Sequence, residues 1–212
     1  AENEIGTIMA RKEITFIVTK DCQLACKYCY LVGKNNEERM TFEVAKKAID
    51  YILTNPDIFS EEQVGWAFIG GEPLLEISLI DRGHLNVGIT IDGTQKKHDI
   101  NRIYKKNGKG SYIDVVKNIP LWLKQFPGAS TKVTISSEDI PYIKESVEHI
   151  FDLGIDNIHI NVVFEDVWKD GDDKLFEEQL IQLADYIIDN ELYKTKMCSF
   201  YNESIGKPID NK

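Results

Sequence analysis

The chain has 212 residues, 42% of them hydrophobic, which is enough for one sizeable core and excludes a disordered or fibrous protein. With 25 basic and 35 acidic residues the formal charge is −10, which argues against a dedicated nucleic-acid binder working through a basic face. No run approaches the ~18 consecutive apolar residues of a membrane span. Residues 1–10 (AENEIGTIMA) lack the basic start and apolar centre of a signal peptide, so a cytoplasmic protein with no membrane partner is expected.

Strand and helix signals alternate along the chain. Residues 13–19 (EITFIVT) form a short β-branched run that reads as a buried strand. Thr41 is placed to cap a helix whose Val44, Ala45, Ala48, Ile49, Ile52 and Leu53 recur on one face, and Pro56 lies just past its end. Residues 63–69 (QVGWAFI) read as a second strand, residues 74–82 as a short helix stopping at Gly83, and residues 85–91 (LNVGITI) as a further strand. Ser111 or a neighbour opens the next helix, which Pro120 interrupts. Residues 132–137 and 157–163 read as strands separated by a helix over residues 139–153, with Gly154 as its left-handed C-terminal cap. A final amphipathic helix covers residues 174–192, with Leu175, Leu180, Ile181, Leu183, Ala184, Ile187 and Ile188 as its buried stripe. This alternation predicts an α/β fold with a parallel sheet.

Charge is uneven. Residues 96–117 hold seven basic and two acidic residues, a net +5, whereas residues 165–191 hold two basic and ten acidic residues, a net −8. Both read as solvated helix faces and loops, the basic one also suiting an anionic ligand or an acidic peptide.

The cysteines carry the chemistry. Cys22, Cys26 and Cys29 crowd into eight residues while Cys198 stands alone, and a chain of this length needs no disulfide staples. The cluster therefore reads as a metal site and Cys198 as the filler of an apolar niche. Three thiolates in a C-x3-C-x2-C loop directly after the first strand can converge on one metal centre. A four-iron cluster held by only three leaves one iron with an open position. The plainer alternative is a zinc knuckle completed by His84 or His98. Gly70-Gly71-Glu72-Pro73, taken alone, reads as a turn between strand and helix.

With Tyr28 before the last cysteine, this spacing resembles the signature of the radical S-adenosylmethionine enzymes, and Gly70-Gly71-Glu72-Pro73 resembles the family's second motif. The resemblance runs from residue 14 to about residue 163 and implies a partial (β/α)6 barrel of TIM type, with its site on loops at the C-terminal mouth of the strands. It implies a [4Fe-4S] cluster on Cys22, Cys26 and Cys29, with the amino group of S-adenosylmethionine received at Gly70, Gly71, Glu72 and Pro73 and Tyr28 lining the site. Thr90-Ile91-Asp92-Gly93 resembles an S-x-D-G segment and implies Thr90 near the ribose, while Ser136 and the backbone of Val163 match a hydroxyl and an adenine contact at later strand ends. The reaction implied is one-electron cleavage of S-adenosylmethionine to a 5′-deoxyadenosyl radical, which abstracts a substrate hydrogen.

His98-Asp99-Ile100-Asn101-Arg102, followed by Gly108-Lys109-Gly110-Ser111-Tyr112, resembles a pattern of the subgroup that carries a SPASM extension. Arg102 reads there as one half of an ion pair, an ordinary surface salt bridge being the plain version. His98, His149 and His159 show no paired ligand spacing and read as satisfied or exposed histidines. The runs CKYCYLVGKN, MTFEVAKKAIDYI and FIGGEPLLEI are similar to maturases of ribosomally made peptides, which implies a precursor peptide substrate, thioether formation and a flavodoxin or ferredoxin as reductant. The competing readings are a maturase that oxidises a cysteine or serine to formylglycine, and a non-catalytic iron–sulfur or zinc-binding domain.

Two departures stand out. About ten residues separate Pro73 from the next strand signal, too few for the passage the family places there, so a third strand is expected to be missing near Arg82-Gly83-His84. Residues 1–192 read as the core and residues 193–212 as a linker or the start of an absent C-terminal extension. Auxiliary iron–sulfur clusters are expected only with that extension.

Overall fold

Two parallel ladders carry the fold, each in its own packing unit. The computed structural model describes residues 12–31, 36–55, 64–80, 87–164 and 167–201. One unit takes the described residues of Ala1–Gln23 and Tyr30–Leu85, the other those of Leu24–Cys29 and Asn86–Lys212. Among the described residues no helix is long and apolar enough to cross a membrane.

In the first unit, β1 (Lys12–Thr19) pairs in parallel with β2 (Val64–Gly70), Phe16 opposite Phe68 and Ile17 opposite Ile69. Alternation puts Phe16 and Val18 inside, and the Phe16 ring stacks on Trp66 and Phe68 at centroid distances of 5.5 and 5.9 Å. Helix α1 (Phe42–Thr54) starts where expected, Thr41 accepting from the amide of Val44. Its expected stripe is only partly realised. Ile52 is buried and Ala45, Ala48 and Ile49 are half-buried, but Val44 is exposed and Leu53 is 69% exposed. A 3-10 turn (Pro73–Glu76) and α2 (Ile77–Ile80) stand where a short helix was read. Residues 81–86, with the expected junction at Arg82-Gly83-His84 and the proposed zinc ligand His84, lie outside the described residues.

The second unit has β3 (Ile89–Thr90), β4 (Ser130–Ile135), β5 (Asn157–Val162) and β6 (Met197–Cys198) in that order, all parallel. Between β3 and β4 come α3 (Gln95–Asn101), α4 (Tyr112–Val116) and α5 (Ile119–Gln125); α6 (Ile143–Asp152) precedes β5, and α7 (Asp172–Asp189) follows it. The break between α4 and α5 falls just ahead of Pro120, which the new helix tolerates in its first turn. Gly154 closes α6 with φ 82°.

Four elements depart from expectation. Within residues 87–91 only Ile89–Thr90 pair as a strand, and at its end the buried Thr131 hydroxyl bonds the amide of Ile91 and the carbonyl of Ile89 at 3.1 Å. Helix α3, capped by Thr94, and strand β6 were not anticipated. In α7 only Leu183 and Ile187 of the expected stripe are buried, and Ile188 is 61% exposed.

The core of this unit joins Val133, Ile135, Ile158 and Ile160 of the sheet to Ile119, Trp122, Ile143, Val147, Ile150 and Leu183 of the helices. Cys198 sits among them in the apolar niche expected of it, its thiol pushed up to about 11 by burial. The alternate positions Lys132, Thr134, His159 and Asn161 leave the other face of the sheet polar. A parallel sheet is ordinarily apolar on both faces, so a polar face marks the side that handles something other than packing.

The difference between real and apparent stripes is measurable. Ile150→Ala, at a fully buried position, is expected to cost about 2–5 kcal/mol in urea unfolding. Ile188→Ala stays within about 0.5 kcal/mol of the parent.

Candidate active site

The first unit supplies the turn after β2. Gly71 donates to the carbonyl of Thr19 and Glu72 to the carbonyl of Asp21, both at 2.9 Å, tying the motif to the stretch just before Cys22. A Cβ on Gly71 would stand 2.0 Å from the Asp21 carbonyl oxygen, and one on Gly70 (φ 150°) 2.1 Å from that of Thr19. The glycines are therefore demanded by backbone packed against backbone. Asp21 caps the amide of Cys22 at 2.9 Å, and the Glu72 carboxylate accepts from the amide of Leu74 at 3.1 Å as Pro73 begins the 3-10 turn.

The second unit holds Cys26 and Cys29, joined in a turn by the Cys29 amide and the Cys26 carbonyl at 3.2 Å. Residues 24–27 run alongside residues 101–104: Ala25 donates to Ile103 at 2.8 Å, Lys27 to Asn101 at 3.2 Å, and Leu24 bridges Tyr104 antiparallel.

Asp92 lies at the centre of this region. Its side chain is 1% exposed and pairs with Arg102, 14% exposed, through Nε at 2.6 Å and Nη2 at 3.4 Å. It also accepts from the Thr134 amide at 2.9 Å and from the Tyr28 hydroxyl. The remaining guanidinium nitrogen, Nη1, donates to Cys26 Sγ at 3.7 Å, and the guanidinium lies over the Tyr28 ring. The plain surface salt bridge is thus overturned: Arg102 belongs to a buried pair, because its partner stands ten residues earlier at the end of β3.

The neighbouring motif residues bond to one another. His98 Nδ1 accepts from the Asp92 amide at 3.2 Å, leaving its Nε2–H for Ser111 Oγ at 3.0 Å, and that hydroxyl donates to the Arg102 carbonyl. Asp99 accepts from the Tyr112 amide at 3.0 Å. Lys97, 1% exposed, donates to the Thr134 carbonyl at 2.9 Å, and Asn101 bonds both oxygens of Asp139 at 3.1 Å. The basic stretch is therefore only partly a solvated face, since Lys97 and Arg102 point inward.

Burial opposes ionisation of Asp92, but Arg102 and Lys97 overcome it and hold the carboxyl at about 2. Burial likewise opposes the charge on Arg102, and Asp92 keeps it firmly protonated. Burial and then the Asp92 charge push the Tyr28 phenol far up. Burial lowers Lys97, raises Asp139 and brings His98 down to about 4.

The other expected residues fall at neighbouring strand ends. Thr90 ends β3 and Ser136 follows β4, its hydroxyl and amide bonding Asp139 at 2.7 and 2.8 Å. Val163 follows β5, its amide bonded to Ile135 and its carbonyl to the Trp168 indole at 3.1 Å. Beside it opens a cavity of about 810 Å³ lined in part by Phe164, Trp168 and Phe176. Sequence reasoning missed Asp92, Lys97, Asp139 and Trp168. For Asp92 the signal was present in the Thr90–Gly93 segment, where attention went to the hydroxyl.

None of the four cysteines is in a disulfide, and three of them in eight residues are the soft donor set that iron–sulfur clusters use. Among the described residues no group of three or more His, Cys, Asp or Glu side chains is gathered as a metal site.

The buried histidine predicts a pH dependence. The unfolded chain takes up a proton near pH 6.5 and the folded chain only near 4, so stability present above 6.5 is lost as pH falls toward 4, by about 3 kcal/mol. In urea titrations, His98→Gln is expected to flatten that part of the profile.

No family model matches the chain. The uncharacterised protein MJ0907 of Methanocaldococcus jannaschii is 32% identical over 190 aligned residues, covering 72% of this chain and 63% of that protein. In fold the chain is similar to anSMEcpe with bound AdoMet, at TM-score 0.70 and 15% identity over 90% of this chain and 64% of that one. It is similar also to Streptococcus suis SuiB bound to the precursor peptide SuiA, at TM-score 0.58 and 13% identity over 85% of this chain and 47% of that one. The chain thus spans less than two thirds of these relatives. In fold, an α/β arrangement of helices and parallel strands, the chain resembles anSMEcpe and SuiB.

Proposed function

We propose that this chain is the radical-generating part of an S-adenosylmethionine-dependent peptide maturase. The observation that supports it is the pairing of the fold in which anSMEcpe binds AdoMet with three cysteines spaced C-x3-C-x2-C, none of them in a disulfide, on the loop after the first strand. In this reading Cys22, Cys26 and Cys29 hold a [4Fe-4S] cluster and leave one iron for the cofactor. When bound, cluster and cofactor together supply a 5′-deoxyadenosyl radical, the species that takes a hydrogen from the substrate.

The chain's own groups bind and orient. Gly70, Gly71, Glu72 and Pro73 receive the methionine amino group, their backbone set by the bonds to Thr19 and Asp21. Tyr28 stiffens the cysteine loop through Asp92. Thr90 and Ser136 offer hydroxyls at adjacent strand ends, and the Val163 carbonyl retains a second lone pair for the adenine beside the one given to Trp168.

The substrate proposed is a ribosomally made precursor peptide, in line with the peptides bound to anSMEcpe and SuiB, and the product a thioether cross-link. The reductant is a small flavodoxin or ferredoxin, and the setting the cytoplasm. The core proposed over residues 1–192 extends at least through β6, since Met197–Cys198 pairs with β5 and Cys198 packs among the core residues, and auxiliary clusters enter this reading only with a C-terminal extension.

Anaerobic reconstitution with iron and sulfide tests the reading. About four irons per chain are expected, with an electron paramagnetic resonance signal that shifts on adding S-adenosylmethionine. Alanine at Cys22, Cys26 or Cys29 abolishes that signal, whereas Cys198→Ala keeps it. An unshifted signal, or a single bound zinc, overturns the assignment. Mass spectrometry of a precursor peptide after turnover should show the loss of two hydrogens per thioether formed, and fragmentation that places an aldehyde on a single side chain would replace thioether formation by side-chain oxidation.

A further inference from the structure

We infer that Arg102 is a positioning residue for Cys26, fixing the direction and the charge environment of that one sulfur while Asp92 fixes Arg102. The inference rests on the cluster reading above and concerns how one ligand is held.

A guanidinium is planar and carries its donors in a rigid fork, so binding one edge sets where the rest points. Arg102 lends Nε and Nη2 to the two oxygens of Asp92, and the nitrogen left over, Nη1, is the one that meets Cys26 Sγ. Asp92 is itself immobilised by the Thr134 amide, by the Tyr28 hydroxyl and by the bond from its own amide to His98. At its base, the Arg102 amide closes α3 on the His98 carbonyl at 2.9 Å. Every joint of the arm that reaches the sulfur is thus pinned.

The loop is gripped from both ends by this arrangement. Arg102 meets Cys26, Asp92 meets Tyr28, and the amides of Ala25 and Lys27 bond the carbonyls of Ile103 and Asn101 on either side of Arg102. A generic buried ion pair needs none of these contacts. A cationic donor on a ligating thiolate withdraws electron density from it and favours the reduced form of the centre it binds. Lysine in place of Arg102 keeps the charge but lacks the fork, so it cannot hold Asp92 at two points and aim a third donor at the sulfur.

The test uses the full chain with Arg102→Gln and Arg102→Lys. In the metal-free protein, hydrogen exchange at the amides of Ala25 and Lys27 is expected to accelerate about ten-fold in Arg102→Gln. In reconstituted protein, redox titration followed by electron paramagnetic resonance should give Arg102→Gln a more negative midpoint potential than the parent. Arg102→Lys should fall between them. A parent-like potential in Arg102→Gln, even with faster exchange, reduces Arg102 to a structural ion pair and overturns the inference while the cluster reading stands. Should Arg102→Gln fail to melt cooperatively, Arg102→Lys decides by the same criterion. Parent protein that takes up no iron overturns the cluster reading and this inference with it, an outcome separate from the others.

Discussion

A carboxylate removed from water has to be compensated where it lies, and Asp92 is the residue around which the second unit arranges that compensation. Taking the charge out of solvent costs several kcal/mol, recovered only when partners sit at hydrogen-bonding distance and fill the lone pairs. Here they come from three separate stretches, Tyr28 on the cysteine loop, Arg102 at the end of α3 and the Thr134 amide in β4, while the charge of Lys97 in α3 acts from nearby. The need to satisfy one buried anion therefore draws the cysteine loop, the end of β3, the helix after it and the neighbouring strand to one place. The backbone bonds between residues 24–27 and 101–104 then lock what the charges have gathered.

The first unit reaches a comparable result without charge. Two amides of the glycine turn bond two carbonyls at the end of β1, and the absence of a Cβ lets the backbones lie that close. Its ion pairs, among them Arg39 with Glu76 and Asp21, each have at least one well-exposed partner, Arg39 at 47%, and contribute little by comparison. The two motifs that first drew attention are in this sense both devices for fixing backbone: one by close approach, the other by a buried salt bridge.

Local signals were legible where one residue decides the outcome. Thr41 caps α1, Gly154 closes α6, Pro120 separates two helices, and the β-branched runs of β1, β2 and β5 pair in parallel as the alternation of elements requires. What escaped depended on partners distant in sequence. The hydroxyl of Thr131, forty residues away, takes the amide of Ile91 at the end of β3. Val44, Leu53, Ile181 and Ile188 match the helical period yet face solvent, since an apolar residue inside is a one-way rule. Lys97 and Arg102 sat in a stretch whose charge looked solvated, and nothing in their own neighbourhood announced the carboxylates of Asp92 and Asp139 that draw them in. The three cysteines and the glycine turn were legible because spacing alone defines them.

The protonation states carry the argument one step further. A site built for proton transfer keeps at least one group close to its working pH. Four groups beside the cysteine loop are shifted the other way: Asp92 stays ionised down to about 2, His98 stays neutral down to about 4, and the Tyr28 phenol and the Arg102 guanidinium keep their protons throughout. The bonds among these four therefore have a fixed donor and a fixed acceptor across the physiological range. That is the behaviour of a scaffold. The demand it meets is one of position, the same demand that a reaction of a short-lived radical places on the protein around it: hold the reacting atoms in register and offer no mobile proton or loose side chain as a competing target.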